Sequence, residues 1–277
     1  MTMTFHEFLR YLALVGTLMA SIALVELVVP LYRRAGSRRG RAPANLALTI
    51  LIFTLNWLLT TALAGFVLWF ASQDLGLTAL SRLPVLAQIL LGVLILDFFT
   101  YVAHWAMHKI PLLWRLHRVH HSDPFLDVTT SFRTHPMEGL WRFAWTLVPA
   151  LALGIPAQAV VIYRMISMIN ALLEHANVAV PRGVDRALSS VWVTPNMHKI
   201  HHSTAAQQTD SNYGNISSWF DRLFRTFTPT DRAFALEYGL HGTDPEQVRS
   251  LRSLLRMPFE PNQRVAGSPI AEQVRGT

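Results

Sequence analysis

The 277-residue sequence contains no cysteine. Disulfides, thiolate zinc sites, thiol nucleophiles and cysteine-ligated iron–sulfur clusters are therefore excluded. Charged residues are also scarce, at 15% of the chain, whereas a soluble globular domain carries about 25%. Hydrophobic residues make up 51% of the chain and the mean hydropathy is +0.29. Together these values indicate a membrane protein.

The net charge of +7 does not point to a nucleic-acid partner. Basic proteins can neutralise phosphates, but the arginines here concentrate in a short loop between apolar runs and in the tail. No nucleic-acid-binding motif accompanies them. A basic loop beside a membrane is better explained as a topology signal, so we expect no nucleic-acid partner.

Three apolar runs, at residues 11–31, 46–70 and about 83–103, are each long enough to cross a membrane as a helix. The hydrocarbon core is roughly 30 Å thick and needs about 20 helical residues. A fourth apolar region, residues 140–173, is interrupted by Pro149, Gly154 and Pro156. We interpret it as a bent helical hairpin that enters the membrane and returns to the same side.

Arginine predicts the orientation of these helices. The segment between the first two runs carries five arginines and no acidic residue, whereas residues 71–82 carry one Arg and one Asp. The positive-inside rule places the arginine-rich segment in the cytoplasm. The third run then returns the chain to the cytoplasm near His104. The expected fold is therefore all-α, with three spanning helices, the re-entrant hairpin and a cytoplasmic helical cap.

Ten of the twelve histidines lie between residues 104 and 202. Histidines three or four residues apart share one face of a helix. In the pattern H-x-x-H-H, the two adjacent histidines diverge by about 100° around the helix. Its adjacent pair can therefore serve two neighbouring metals, and imidazole suits zinc, copper, iron and nickel. Eight histidines have this spacing: His104 and His108; His117, His120 and His121; His198, His201 and His202.

A lone histidine near a membrane is usually interfacial or hydrogen-bonded, and one H-x-x-x-H is mostly coincidence. Two copies of H-x-x-H-H with an H-x-x-x-H, all predicted on one membrane face, are different. Imidazoles buried there without partners would carry a desolvation cost. The sequence therefore predicts metal binding.

The stretches DFFTYVAHWAMH, LWRLHRVHHS, RTHPME, EHANV, TPNMHKIHHS and DSNYGNISSWFDRLFRTF occur in this order between residues 97 and about 227. In this the chain resembles the fatty acid hydroxylase (sterol desaturase) superfamily. The resemblance implies that the eight spaced histidines are metal ligands, and that His135 and His175 occupy positions that complete the site. Two positions depart from the family pattern without touching a ligand: Trp105, where Arg is common, and Arg225, where Gly is common.

Three carboxylates are candidate catalytic residues. Asp97 lies about two turns before His104, and a carboxylate within a membrane helix is a functional candidate by default. We expect it to orient a ligand imidazole, the alternative being a structural contact to Arg or backbone. Glu174, beside His175, is open between ligand, base and helix cap. Asp210, Asn212 and Tyr213 are expected to shape the loop that closes the site, with Asp210 or Asn212 contacting a ligand. Glu26 is expected to pair with Arg33 or Arg34 or to extend to the interface.

The resemblance implies two iron ions, with O2 as co-substrate, and oxidation of an unactivated C–H bond of a lipid such as a sterol, fatty acyl chain or alkyl lipid. We favour hydroxylation over desaturation. No flavin or nucleotide fingerprint is recognisable, so we expect electrons from a separate reductase or carrier. Zinc is a possible occupant of purified protein, because it binds nitrogen sites more tightly than ferrous iron. The alternative is a membrane metal-binding or zinc-transport protein.

We divide the chain into residues 1–96, the N-terminal membrane helices; residues 97–232, the histidine-bearing catalytic region; and residues 233–277, a cytoplasmic tail. Within the tail, residues 244–255 are expected to form a short helix and residues 258–277 a mobile end.

Overall fold

A computed structural model describes residues 3–32, 40–73, 80–231, 236–240, 242–244 and 246–261. The described residues are helical and contain only isolated β-bridges, which confirms the all-α prediction. The α-helices are α1 (Phe5–Val28), α2 (Ala42–Ser72), α3 (Val85–Lys109), α4 (Pro111–His121), α5 (Pro136–Ala152), α6 (Ala157–His175), α7 (Arg182–Leu188), α8 (Pro195–His201), α9 (Ala206–Thr209), α10 (Trp219–Leu223) and α11 (Leu251–Arg256).

Four of these helices are long and apolar enough to cross a membrane. They are α1, α2 over Ala42–Val67, α3 and α6, and no more than a third of the most apolar window of each is buried inside the protein. The first three correspond to the three predicted spans. The fourth is one arm of the predicted hairpin, so the described chain has four candidate spans where the sequence indicated three.

The hairpin consists of α5 and α6, joined by a tight turn at residues 153–156. Gly154 has φ +62°, a conformation that glycine adopts without steric cost, and Pro156 then caps the start of α6. Pro149 lies inside the last turn of α5 and does not end that helix. Because the turn is so short, α5 leaves the histidine end of the molecule and α6 returns to it.

The central helix α3 packs closely against α6. Leu96 of α3 forms a buried cluster with Ile155, Ala159 and Tyr163. The close approach depends on Gly92, because a Cβ there would lie 2.8 Å from the Cβ of Ala159 and 2.8 Å from Cγ2 of Ile155. Such small-residue contacts are how membrane helices come close together.

Proline fixes where three helices at the histidine end of the molecule begin. Pro111, Pro136 and Pro195 occupy the first position of α4, α5 and α8, where a missing N–H costs nothing and φ is already helical. The residue before each proline is extended, Ile110 for example at φ −98°, ψ 117°, as proline requires. The chain therefore turns a corner between α3 and α4, and their histidines face each other.

Polar contacts tie the membrane helices α1 and α2 to the loops around the histidines. Glu26 is buried and accepts N–H bonds from Val128 at 2.8 Å and Asn177 at 2.9 Å. Its expected partners Arg33 and Arg34 lie outside the described residues. Next to α2, the guanidinium of Arg41 is buried against the carboxylate of Asp123, 2.7 Å away.

The segment after residue 246 braces α4. Arg115 donates to the carbonyl of Pro258 at 2.6 Å, and Arg118 donates to that of Glu260 at 2.9 Å. The short helix predicted over residues 244–255 is α-helical only in its last part, as α11, and Gln247–Arg249 form a separate 3₁₀ turn. The first residues of the expected mobile end, 258–261, are held by these arginines. The remaining tail lies outside the described residues.

The α3–α6 contact predicts the effect of adding one methyl group. Gly92→Ala should lower the free energy of unfolding by about 1–3 kcal/mol, because overpacking a tight contact forces side chains or backbone to shift. Thermal unfolding of the detergent-solubilised protein, followed by far-UV circular dichroism, measures this. Gly65→Ala on α2 is the matched control, since no atom lies within 4 Å of a Cβ there; equal losses in the two variants would contradict the packing argument.

Candidate metal centre

Nine buried histidines form two groups. Within each group the nearest ring nitrogens all lie within 4.8 Å of one another, and every member is buried. We call them group A, which contains His104, His108, His117, His121 and His201, and group B, which contains His120, His175, His198 and His202. The predicted ligands are thus brought together, apart from His135.

The two H-x-x-H-H motifs divide between the groups in opposite ways. From the first, His117 and His121 enter group A and His120 enters group B; from the second, His201 enters group A while His198 and His202 enter group B. The rings of His120 and His121 stand at 89° with centroids 5.7 Å apart. Adjacent histidines therefore point to neighbouring centres, as the helical spacing predicted.

Acceptors outside the histidine layer fix the tautomers of five rings. A carbonyl oxygen can only accept, so a ring Nδ1 bonded to one must carry the proton, and Nε2 then presents a lone pair. Nδ1 donates to the carbonyl oxygen of Tyr213 in His104 (2.9 Å), of Arg133 in His120 (3.3 Å), of Ala171 in His175 (2.8 Å) and of Ser211 in His201 (2.8 Å), and to Oε1 of Glu138 in His117 (2.9 Å).

As a result, unprotonated nitrogens face each other at contact distance. Nε2 of His104 lies 3.1 Å from Nε2 of His117 in group A, and Nε2 of His175 lies 3.1 Å from Nε2 of His120 in group B. In each pair both Nδ1 atoms carry the ring proton, so two lone pairs are directed at each other. In group A, Nε2 of His201 is also buried with no hydrogen-bond partner among the described residues. A cation between the rings satisfies all these nitrogens.

A proton is a poor substitute for that cation. Burial lowers the pKa of His117 and His120 well below the usual value, and the neighbouring imidazoles lower it further. The same holds for His121, His198 and His202, and burial lowers the pKa of His201 to about 4. At neutral pH these rings are therefore neutral, which is the form that binds metal. The donor set fits a transition metal such as iron or zinc.

Glu138 is a site residue that the sequence analysis missed. It is fully buried on α5, accepts from His117 Nδ1, and is paired with Arg142 Nε at 2.8 Å. A carboxylate behind a ligand imidazole fixes the ring and raises its basicity. The signal was present in the R-T-H-P-M-E stretch, three residues after the histidine that was chosen there instead.

The predicted carboxylates Asp210 and Glu174 border the two groups. Oδ1 of Asp210 lies 3.4 Å from Nδ1 of His108, and its other oxygen pairs with Lys109 at 3.1 Å. Oε1 of Glu174 lies 3.8 Å from Nδ1 of His175 and from Nε2 of His198. Of these two carboxylates, Asp210 therefore lies at the edge of group A and Glu174 at the edge of group B.

Asp97 and His135 lie apart from the histidine groups. The expectation that Asp97 orients a ligand imidazole is wrong, and the alternative of a backbone contact is correct. Its oxygens accept the backbone N–H groups of Ile216 at 3.0 Å and Ser217 at 2.9 Å. His135 caps α5 by accepting from the N–H of Met137, and its other nitrogen contacts the carbonyl of Leu255. Both residues hold the scaffold instead.

Aromatic rings close group A from the outside. Trp114 lies 5.1 Å from the ring of His108 and 5.3 Å from that of His121, measured between centroids. Tyr213 is fully buried against His108 and His201. These rings exclude bulk water from the histidines.

The two groups predict that the metals can be removed separately. We expect wild-type protein loaded with iron under anaerobic conditions to hold two irons per chain, and His104→Ala or His175→Ala to lose roughly one each, from group A and group B respectively. Elemental analysis with Mössbauer spectroscopy measures this. The control His135→Ala should keep both. If it lost iron as the other two variants do, or if neither of them lost any, the assignment of the two groups would be wrong.

Glu138→Gln should weaken metal binding without removing a ligand. The amide still accepts from His117 but no longer carries the charge that raises its basicity, so affinity at group A should fall about ten- to a hundredfold. Competition with a calibrated chelator gives the affinity. Glu246→Gln, at a carboxylate 75% exposed, is the control; an unchanged affinity in Glu138→Gln would show that this carboxylate does not tune the site.

Comparison with known proteins agrees with the geometry. The sequence model of the fatty acid hydroxylase family matches residues 89–226, a range that contains all nine grouped histidines. An ornithine lipid hydroxylase from Rhizobium tropici is 29% identical over 87% of this chain and 72% of its own length.

An alkylglycerol monooxygenase from Caenorhabditis elegans is 28% identical over 47% of this chain, and a cholesterol 25-hydroxylase-like protein from Danio rerio is 26% identical over 48%. The chain spans only 25% of the first of these two relatives and 52% of the second. No solved structure matches the chain. Over residues 89–226 the chain is therefore similar to the fatty acid hydroxylase family, and both histidine groups lie within that range.

Proposed function

We propose that this protein is a membrane-bound, non-haem di-iron oxidoreductase that uses O2 to hydroxylate an unactivated C–H bond of a lipid. The observation that carries the proposal is the pair of buried histidine groups, in which neutral imidazoles direct lone pairs at each other 3.1 Å apart. The family match and the lipid hydroxylases among its relatives support the chemistry.

Two irons, when bound, supply the capacity to reduce dioxygen and to remove hydrogen from an alkyl C–H bond, as metal cofactors do for reactions beyond side-chain chemistry. In hydroxylation one oxygen atom enters the lipid and the other leaves as water, at the cost of two electrons and two protons. A separate reductase or electron carrier is the proposed source of the electrons. Desaturation would consume the same reductant but leave an alkene.

The chain contributes orientation and exclusion of water. Outer acceptors hold Nε2 of His104 and His117 toward the interior of group A, while the rings of Trp114 and Tyr213 cover that group. The Tyr213 ring packs against the rings of His108 and His201 at the wall of that group. We assign the catalytic region to residues 97–232, with the first described part of the tail as its brace.

We also propose that the histidine groups face the cytoplasm. Glu26 near the end of α1 and Arg41 at the start of α2 both contact loops next to the histidines, so the arginine-rich connection between them starts and ends at this end of the molecule. Its residues 33–39 lie outside the described part of the chain. The positive-inside rule then favours a cytoplasmic histidine end, with α5 and α6 as a hairpin that returns to that side.

The Rhizobium relative supports a polar membrane lipid as substrate. It is named an ornithine lipid hydroxylase, and its similarity extends over 87% of this chain, which must include most of the membrane helices as well as the histidines. The other relatives named above match about half of the chain. We therefore place an acyl-bearing membrane lipid ahead of a sterol or an alkyl ether.

A zinc transporter is not favoured. Transporters place ionisable residues midway along several spanning helices, where substrate sites lie near the bilayer midplane. Here the grouped histidines on α3 and α6 lie in the last two turns of each helix, and the remaining ones are on the short helices α4 and α8 or immediately after them. The relatives named above include an ornithine lipid hydroxylase and an alkylglycerol monooxygenase.

Lipid analysis tests the proposed reaction. Cells that express the chain should accumulate a lipid heavier by one oxygen atom, and growth under isotopically heavy dioxygen should label it. The product should be lost in both His104→Ala and His175→Ala, because each variant leaves one group incomplete, and retained in His135→Ala. An unlabelled product, or a product made equally by all four chains, would exclude an O2-dependent reaction at this site; a lipid lighter by two hydrogens would identify desaturation.

A further inference from the structure

One part of the cap carries an exposed apolar surface that the proposed reaction does not use. We call it the α7–α10 patch, after the two short helices that form it. Its side chains are between 39% and 70% exposed: Val184, Leu188, Val191, Trp219, Leu223 and Phe224. Clusters of exposed large hydrophobic residues on a protein surface mark sites of interaction.

The two helices form one continuous surface. The end of α7 meets the start of α10, where Ser218 Oγ donates to the carbonyl of Ser189 at 2.8 Å and the N–H of Ser218 donates to that of Val191 at 3.3 Å. Trp219 and Leu223 are four residues apart and so share one face of α10. The exposed apolar side chains therefore adjoin one another and are not scattered.

The position of this surface along the membrane helices identifies what covers it. The ring of Phe224 stacks on Tyr101 of α3, with centroids 5.5 Å apart, and packs beside Phe98 at 6.1 Å. Phe98 lies six residues before His104, or about 9 Å further along α3 at 1.5 Å per residue. The segment around α10 thus lies closer to the membrane interior than the histidine groups.

Contacts with a second membrane helix, α6, indicate the same depth for the segment around α10. In the loop just before α10, Asn215 contacts Ser167 and Tyr163 of α6, at 3.0 Å and 3.3 Å from its amide nitrogen. These residues precede His175 by eight and twelve positions. Since α3 and α6 both run toward the histidines, contacts to both place the loop below the histidine layer, at the level of the spanning segments.

The charge around the patch is positive. Arg182, Arg186, Arg222 and Arg225 are exposed on or beside the two helices. Among neighbouring acidic residues, Asp231 pairs with Arg186 at 3.1 Å, and Asp221 is buried, accepting the N–H groups of Tyr213 and Gly214. An apolar face with Trp and Leu, flanked by arginine, is typical of surfaces that lie in the interface of an anionic membrane.

We propose that the α7–α10 patch is an interfacial anchor: its apolar side chains enter the leaflet on the histidine side, and its arginines bind anionic lipid headgroups. This inference goes beyond the proposed reaction and does not depend on it, because neither the contacts nor the charges involve the metal groups. The anchor would fix the height of the cap above the spanning helices.

The cysteine-free chain allows a direct test of the apolar contact. Full-length Leu223→Cys protein, loaded with diamagnetic zinc, carries one nitroxide label in nanodiscs of phosphatidylcholine and phosphatidylglycerol. We expect the label to collide frequently with oxygen and rarely with a water-soluble nickel complex. The control is Gln207→Cys, at an exposed position on α9, where the preference should be reversed. Equal access of the nickel complex to both labels would overturn the proposal and would be the result expected of a protein-docking surface.

Arg225 tests the headgroup contact. Its φ of +59° is one that glycine adopts freely, so Arg225→Gly removes the cation without straining the backbone. In the Leu223→Cys background, the phosphatidylglycerol fraction that gives a half-maximal change in the label's spectrum should rise about fivefold, since one arginine near an anionic surface is worth roughly that factor. Arg225→Lys should restore the wild-type response. An unchanged response in Arg225→Gly would remove headgroup binding from the proposal.

Discussion

The arrangement of hydrogen-bond acceptors around the outside of the histidine layer is the constraint on which the site depends. Each acceptor receives a hydrogen bond from the Nδ1–H of a ring, and the Nε2 lone pair of that ring therefore points inward. These acceptors come from separate parts of the chain: the carbonyl of Tyr213 follows the second H-x-x-H-H motif, that of Arg133 follows the first, and Glu138 lies on α5. Without the fold that collects them, the same histidines would be free to change tautomer and direction. The metal site is therefore a product of tertiary structure as much as of the histidine spacing.

Behind two of these acceptors, the carbonyls of Tyr213 and Arg133, a further contact leads to a membrane helix. Asp97 on α3 binds the N–H groups of Ile216 and Ser217, which fixes the loop carrying the Tyr213 carbonyl. Arg133 donates to Asn45 of α2 at 2.6 Å and to Ser122 at 2.6 Å, and its own carbonyl orients His120. The polar residues buried in or beside the apolar helices thus have a common role. They position loops that in turn position imidazoles, which explains why an acidic residue on a membrane helix can be necessary without touching the site.

This layering also explains how far the sequence could be read. Helical periodicity relates residues three or four apart, so it predicted that His120 and His121 would serve different centres, and apolar length predicted three of the four candidate spans. It could not predict that Asp97 reaches a backbone segment 119 and 120 residues away, or that His135 caps α5 while Glu138 supports His117. From the sequence alone, a histidine before a proline at a helix start can be either a metal ligand or a helix cap. Only the packing of α5 against α4 shows which role His135 has.

The balance of charge explains why carboxylates surround the histidine groups. All nine grouped side chains are imidazoles, neutral in the form that binds metal, so they bring no negative charge to offset two metal cations in a buried space. Carboxyl groups at the edges would supply it when metal is bound: Glu138 behind His117 and Asp210 beside His108 border group A, while Glu174 borders group B. Because the carboxylates lie behind or beside the imidazoles, the coordination positions that a carboxylate ligand would occupy stay open. The carboxylates are still close enough to interact strongly with the metal cations in a low-dielectric interior. An oxidation that needs free positions for dioxygen and an apolar chain is well served by neutral ligands inside and anionic support outside.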